Sequence, residues 1–298
     1  MKITRDKVVY SMSADNVPVF RIVLPARLTF ETHDCFCGQV KSPADTVATL
    51  DFSRVNPATG PVYLEDVRPG DVLAVHISAI RVASPGIMVA APGAGVLGEA
   101  VAEPETMMAE ISNGFVHLLG LALPAAPMIG VIGVAPAGEA IPCGTPGPHG
   151  GNMDTGLITA GSTVYLPVQV DGALLAMGDL HALMGDGEIM VSGVEVAGEV
   201  DVTVTKAAGV QLDNPLVVTP DWIAVIASAL TLDEAVQTAT FQMAGLLQKW
   251  TGFSLNAAGM FLSACGHVQV SQVVDPLKTA RMAIPRTILK KLGVPLAF

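Results

Sequence analysis

A chain of 298 residues with 51% apolar and only 14% charged residues can bury one large core or two ordinary ones. Its formal net charge of −11 excludes nucleic acid and anionic membrane surfaces as partners, because both need clustered Lys and Arg. So low a charge density predicts that apolar surface is covered by a second copy, making the protein a homo-oligomer, with a dimer as the simplest case.

Met1-Lys2-Ile3-Thr4-Arg5-Asp6 leads into no apolar stretch of signal-peptide type, so a cytoplasmic location is expected. Cys35, Cys37, Cys143 and Cys265 have neither a CxxC pair nor the dense spacing of a disulfide scaffold, and read as reduced thiols. Leu28 and Phe30 alternate with Thr29, Glu31 and His33, as in a strand. Leu73, Val75, Ile77 and Ala79 against Ala74, His76 and Ser78 predict a second strand, opened by Gly70-Asp71. The run 111–138 holds no Asp, Glu, Lys or Arg, but its repeated Pro and Gly predict buried strands and turns rather than a membrane span. Val164, Leu166, Val168 and Val170, then Asp171-Gly172 and the apolar run from Ala173 to Met177, predict a β-hairpin. Val200, Val202 and Val204 mark another half-buried strand. Beyond Asn214, Thr231 and Glu234 have the spacing of a capping box, and the helix that follows should stop at Gly252. Ser254 would cap a second helix, Val268 to Val274 return to strand alternation, and Pro285 would open a short helix ending near Lys290 and Lys291. The expected fold is therefore mainly β with an α/β C-terminal part: a β-rich body, sandwich or barrel, over residues 1–210, and an α/β part over residues 211–298.

Two Gly-rich segments collect metal-capable side chains. His149, Asn152 and Asp154 lie in the first; Asp179 and His181, then Asp186 and Glu188, lie in the second. Grouped carboxylates and imidazoles repel one another or lose hydration unless a cation or hydrogen bonds compensate, so this density points to a divalent metal site. Residues two apart on a strand leave the same face, so Asp179 and His181 should act together, and Asp186 and Glu188 should open the next strand. Oxygen and nitrogen donors at one sheet edge suit Zn²⁺ or a harder cation. Gly150-Gly151 gives a tight backbone path. The same residues are also compatible with a solvated acidic turn and with Asx turns. Glu31, His33 and Asp34 form a third cluster that an edge-strand surface explains equally simply.

Several motifs recur in one order: Glu31-Thr-His-Asp34-Cys-Phe-Cys-Gly-Gln39, Val55-Asn-Pro-Ala-Thr-Gly-Pro61, Arg68-Pro-Gly-Asp71, Pro127 to Pro136, Gly150-Gly-Asn-Met-Asp154, Thr159-Ala-Gly-Ser-Thr163, Gly178-Asp-Leu-His181, Gly185-Asp-Gly-Glu188 and Ser271-Gln-Val-Val-Asp-Pro276. In this order the chain resembles the acetamidase/formamidase family nearly end to end. The resemblance implies hydrolysis of short linear amides to a carboxylate and ammonia, a divalent metal such as zinc or calcium, a β-rich fold with an α/β part, and dimers or larger assemblies. It departs from the family after the Asn-Met-Asp motif, where Thr155-Gly156-Leu157-Ile158 lacks the polar or charged residue commonly found there.

Amide hydrolysis needs an activated water, a polarised carbonyl and a proton donor for nitrogen; a zinc ion meets the first two needs. Asp154, Asp179 and His181 are the expected ligands, with Asp34 and His149 as further candidates. Glu188 is the expected general base, with Asp186 as its substitute. Asn152, Glu31 and Gly150 are expected to meet the amide substrate or orient its neighbours. A Cys/His nucleophile lacks a signature, and Ser162 does not sit in a Gly-x-Ser-x-Gly elbow. The alternative is a non-catalytic protein of the same fold that binds a metal or small ligand.

Overall fold

The protein is described here from a computed structural model, over residues 1–294. A nine-stranded sheet runs, in spatial order, through Lys2–Ile3, Ala26–Thr32, Gly198–Lys206, Val72–Val82, Thr163–Pro167, Leu216–Val218, Trp222–Ala229, Lys278–Pro285 and His267–Gln272. An eleven-stranded sheet is centred on Leu175–His181, which pairs with Met128–Gly133, Ala58–Leu64 and Glu195–Val196. The fold is thus mainly β with helices gathered at the C-terminal end, as expected.

Alternation along single strands explains the layering. Leu73, Val75 and Ile77 enter a core shared with Ile129, Met177 and Leu180 of the second sheet, whereas Val72 and Ala74 enter a core shared with Ala239, Met243 and Leu262. Val164 and Leu166 divide from Tyr165 in the same way. The period of two thus sends one face of the nine-stranded sheet to the other sheet and the opposite face to helices. Helix α1 (Leu232–Thr251) begins with the expected capping box between Thr231 and Glu234 and ends at Gly252, whose φ of 75° suits glycine. Helix α2 (Leu255–Cys265) is capped by Ser254, and α3 (Arg286–Lys291) follows Pro285. Strands from both sides of residue 210 share the nine-stranded sheet.

Two local expectations are corrected. The segments flanking Asp171-Gly172 do not form a hairpin: Thr163–Pro167 pairs with Val72–Val82 and Leu216–Val218, while Leu175–His181 belongs to the other sheet. The turn therefore carries the chain between sheets, which buries the apolar residues on both sides of it in the space between them. Asp186 and Glu188 open no strand either; Gly187 makes one isolated parallel bridge to Gln272, Asp186 is in a turn and Glu188 is in irregular backbone. The charge-free run 111–138 does form strands and turns, and no helix among the described residues is long and apolar enough to cross a membrane.

Candidate metal and active site

Strand Leu175–His181 is buried throughout and delivers Asp179 and His181 into the interior. Asp154 follows the short strand Gly150–Asn152, which pairs with Met128–Gly133 on the far side of the same sheet region. Around His181 Nε2 stand Glu195 Oε1 at 3.1 Å, Asp179 Oδ1 at 3.6 Å, Asp154 Oδ1 at 3.7 Å and Glu188 Oε1 at 3.9 Å. Backbone shape contributes to this convergence: Asp154, Asp179 and Glu188 have φ of 39°, 55° and 49°, in the left-handed region that non-glycine residues avoid. Such residues cost on the order of 1–3 kcal/mol each and persist where the surroundings impose them.

The electrostatics of the cluster are unbalanced. Asp154, Asp179, Glu188, Glu195 and Asp275 are all largely removed from water, and His181 is the only imidazole among them. Burial pushes the Glu188 carboxyl up to about 8, with Glu195 and Asp275 adding repulsion against the pull of His181. Burial likewise raises Glu195 to about 7. Asp154 and Asp275 lie well above the carboxylate range, first through burial and then through neighbouring carboxylates. For His181 burial favours the neutral ring, but Glu195 and Asp179 outweigh it and raise the pKa well above the ordinary value. Both Asp154 oxygens, Asp179 Oδ1, Glu195 Oε2 and Asn152 Oδ1 are buried without a hydrogen-bond partner. Unpaired buried oxygens of this kind are costly, and a dication is the ligand that compensates several at once. The donor set fits such an ion: Asp154, His181 and Glu188 can direct one atom each to within 4.8 Å of the others, and so can Cys35, Asp179 and Glu195.

Not every expected residue joins this cluster. Asp186 pairs with Arg281 Nη2 at 2.6 Å and its side chain is half exposed. Asp34 accepts from the Phe36 and Gly38 amides at 2.9 and 3.2 Å, capping the turn that carries Cys35. Glu31 lies 3.7 Å from Lys2 Nζ on a partly exposed strand. His149 is fully buried with both ring nitrogens unpartnered, and burial lowers it to about 4, but it is in neither donor group. Gly150 serves the backbone: with φ at 95°, a Cβ there would press on Ile132 O and lie 2.9 Å from Gly133 Cα. Asn152 does reach the site, where its Nδ2 donates to Asp275 Oδ2 at 3.0 Å.

Glu195 and Asp275 were not among the expected site residues, and Cys35 was expected only as a reduced thiol. Glu195 sits in a short strand whose apolar neighbours hide it, although Gly193, whose amide donates to Glu195 Oε1 at 2.9 Å, marks a close approach to the His181 ring. Asp275 lies within the Ser271 to Pro276 motif, the one signal that pointed to it. All three line a cavity of about 580 Å³ together with Asn152, Asp179 and Glu188.

A buried cluster of acids lining a cavity, on this two-sheet scaffold, defines a β-rich protein with a candidate enzyme site. The profile of the Acetamidase/Formamidase family matches residues 12–142 and 137–291, and the chain belongs to that family. It is 48% identical to the crystal structure of an acetamidase from Bacillus halodurans, with a TM-score of 0.96 over 99% of this chain and 100% of that one. A predicted acetamidase/formamidase from Thermoanaerobacter tengcongensis is also 48% identical, with a TM-score of 0.96 over 99% and 98% of the two chains. A putative formamidase of Schizosaccharomyces pombe is 27% identical over 227 residues, which is 55% of each chain, so the chain spans about half the length of that curated relative.

Proposed function

We propose that the protein hydrolyses linear carboxamides of the formamide and acetamide type to a carboxylate and ammonia, using a divalent cation. The observation that carries this reading is the convergence of four carboxylates on His181 Nε2 with unpartnered oxygens, in a chain of this family. Asp154, Asp179 and His181 would hold the ion; Asp154 and His181 share one donor group with Glu188, and Asp179 shares the other with Glu195 and Cys35, so Glu195 is a fourth candidate. Mixed imidazole and carboxylate donors suit zinc first, with calcium as the harder alternative. When bound, such an ion lowers the pKa of water and polarises a carbonyl oxygen.

The remaining work falls to this chain's side chains. An amide leaves only if its nitrogen is protonated, so one group must take a proton from water and return it to nitrogen. Glu188 borders the cavity, lies 3.9 Å from His181 and has its carboxyl shifted toward neutrality, which suits both transfers. Asn152 Oδ1 is an unpartnered acceptor for the substrate N–H, and Asp275 fixes the orientation of that amide by accepting from its Nδ2.

The test joins elemental analysis of protein purified without added metal to an ammonia-release assay on formamide and acetamide after metal repletion. Bound ion with ammonia release supports the reading. Bound ion without release from any linear amide leaves the non-catalytic metal- or ligand-binding alternative. Asp179→Asn should fold and lose most of the ion; unchanged metal content would remove Asp179 from the ligand set.

A further inference from the structure

The cavity above the acid cluster is much larger than the bond to be broken requires. Formamide and acetamide have three and four non-hydrogen atoms, whereas cavities of about 300–1,000 Å³ accommodate far larger ligands, and this one measures about 580 Å³. Its polar lining is confined to Asn56, Cys35 and the group Asn152, Asp179, Glu188, Glu195 and Asp275. The other walls are apolar and include Phe36, Leu50, Val55, Val89, Ala91 and Pro104. Phe36 and Val89 belong, with Cys35, to a small packed cluster separate from the main cores, and Leu50 packs against it. Phe36, Val89 and Ala91 are buried and anchor the wall in the interior, and Ala48, Phe52 and Pro92 carry it out to the surface. No Lys, Arg or His lines the cavity among the described residues, so nothing there would compensate an anionic substituent.

We infer that the substrate is a primary amide with an uncharged apolar acyl chain of several carbons, its carboxamide at the acid cluster and its chain along the Phe36, Leu50 and Val89 wall; this rests on the amidase reading. The wall recognises methylene groups by removing them from water, a contact made equally in the bound substrate and in the transition state. The reaction itself is unchanged: water adds its oxygen to the acyl carbon, the C–N bond breaks, and the proton taken from water leaves with ammonia.

Metal-replete full-length protein should be assayed against formamide, acetamide, butanamide and hexanamide, with the succinamate anion as the charged comparison. The expected result is a rise in kcat/KM of roughly fourfold per added methylene, mainly through KM, with succinamate well below butanamide. A kcat/KM that is greatest for formamide or acetamide and falls along the series overturns the inference. Ala94, at the half-buried rim of the cavity, offers a filling variant: Ala94→Phe should lower the hexanamide-to-acetamide ratio at least about tenfold. Should that variant not fold, Leu50→Ala removes wall surface and should lower the same ratio by roughly tenfold; an unchanged ratio in a folded variant counts against this wall. If no amide is hydrolysed, the amidase reading fails, and calorimetric titration decides separately. Tighter binding of hexanamide than of acetamide then keeps the apolar recognition, and equal or weaker binding overturns it.

Discussion

Gly130 lies directly beneath Asp179: a Cβ built on it would stand 2.7 Å from Asp179 Oδ2 and would press on Asp154 Oδ1 as well. The two carboxylates thus converge over the bare backbone of strand Met128–Gly133, where any Cβ would have to push them aside. Gly130→Ala should displace both and weaken divalent-ion binding by roughly 10–100-fold, the range seen when groups that orient metal ligands are altered. Calorimetric titration of chelator-treated protein checks this. Wild-type affinity in a folded variant would show that the close approach is immaterial to the ion.

Glu188 and Asp186 are two residues apart and have different surroundings. Asp186 is held by Arg281 at 2.6 Å, whereas Glu188 borders the cavity. Glu188→Gln should retain the ion and lower ammonia release by about a hundredfold or more. Asp186→Asn should lower it by less than about tenfold. The reverse order of effects, measured by steady-state kinetics, would move the base to Asp186.

Protons and the ion should compete for the same oxygens. Glu188 and Glu195 stand at about 8 and about 7 in the fold, against an ordinary 4.5. Above 4.5 the unfolded chain releases these protons while the folded chain keeps them, so each group lowers stability as pH rises toward its folded value. His149, lowered from 6.5 to about 4, acts in the opposite sense between those two values, because there only the unfolded chain is protonated. Two carboxyls outweigh one imidazole, so chelator-treated protein should lose thermal stability between about pH 5 and about pH 8. Saturating divalent ion should raise Tm more at the upper end, since it displaces protons. Scanning calorimetry at several pH values decides; a chelated protein whose Tm climbs across that window would sink the assignment.

A homodimer is the remaining expectation from composition. Phe241, Met260 and Leu255 are among the large apolar side chains exposed on the helical face. Light scattering across a dilution series should return a mass of two chains or more. A mass of one chain throughout would mean that this apolar surface is simply left in water.

The chain's own residues disclosed much of the fold and four of the six charged residues of the cluster, for identifiable reasons. Capping at Thr231 and Ser254 is a local hydrogen-bond pattern, and local patterns survive folding unchanged. Asp154, Asp179, His181 and Glu188 stood out because glycines flank them. Glu195 and Asp275 did not, since one lies between valines and the other far along the chain, and only tertiary structure brings them to Asp179. The Asp171-Gly172 turn shows the limit from the other side. Turn residues announce that the chain reverses, but they carry no information about which sheet receives the next strand. Asp34 looked like a ligand because a carboxylate that caps backbone amides has the same composition signature as one that binds a cation.

The hydrogen bond from Asn152 to Asp275 spans 123 positions of sequence, and the Gly187 bridge to Gln272 ties a second early segment to the same late one. During synthesis, Asp154, Asp179 and Glu195 would all leave the ribosome well before their last polar neighbour exists. A chain halted before residue 275 would present a crowded set of acids with Asn152 unanchored and the sheet still lacking the strand Lys278–Pro285. On the metal reading proposed above, products that end before Asp275 should be recovered metal-poor, and metal content would then measure how much of a preparation is whole.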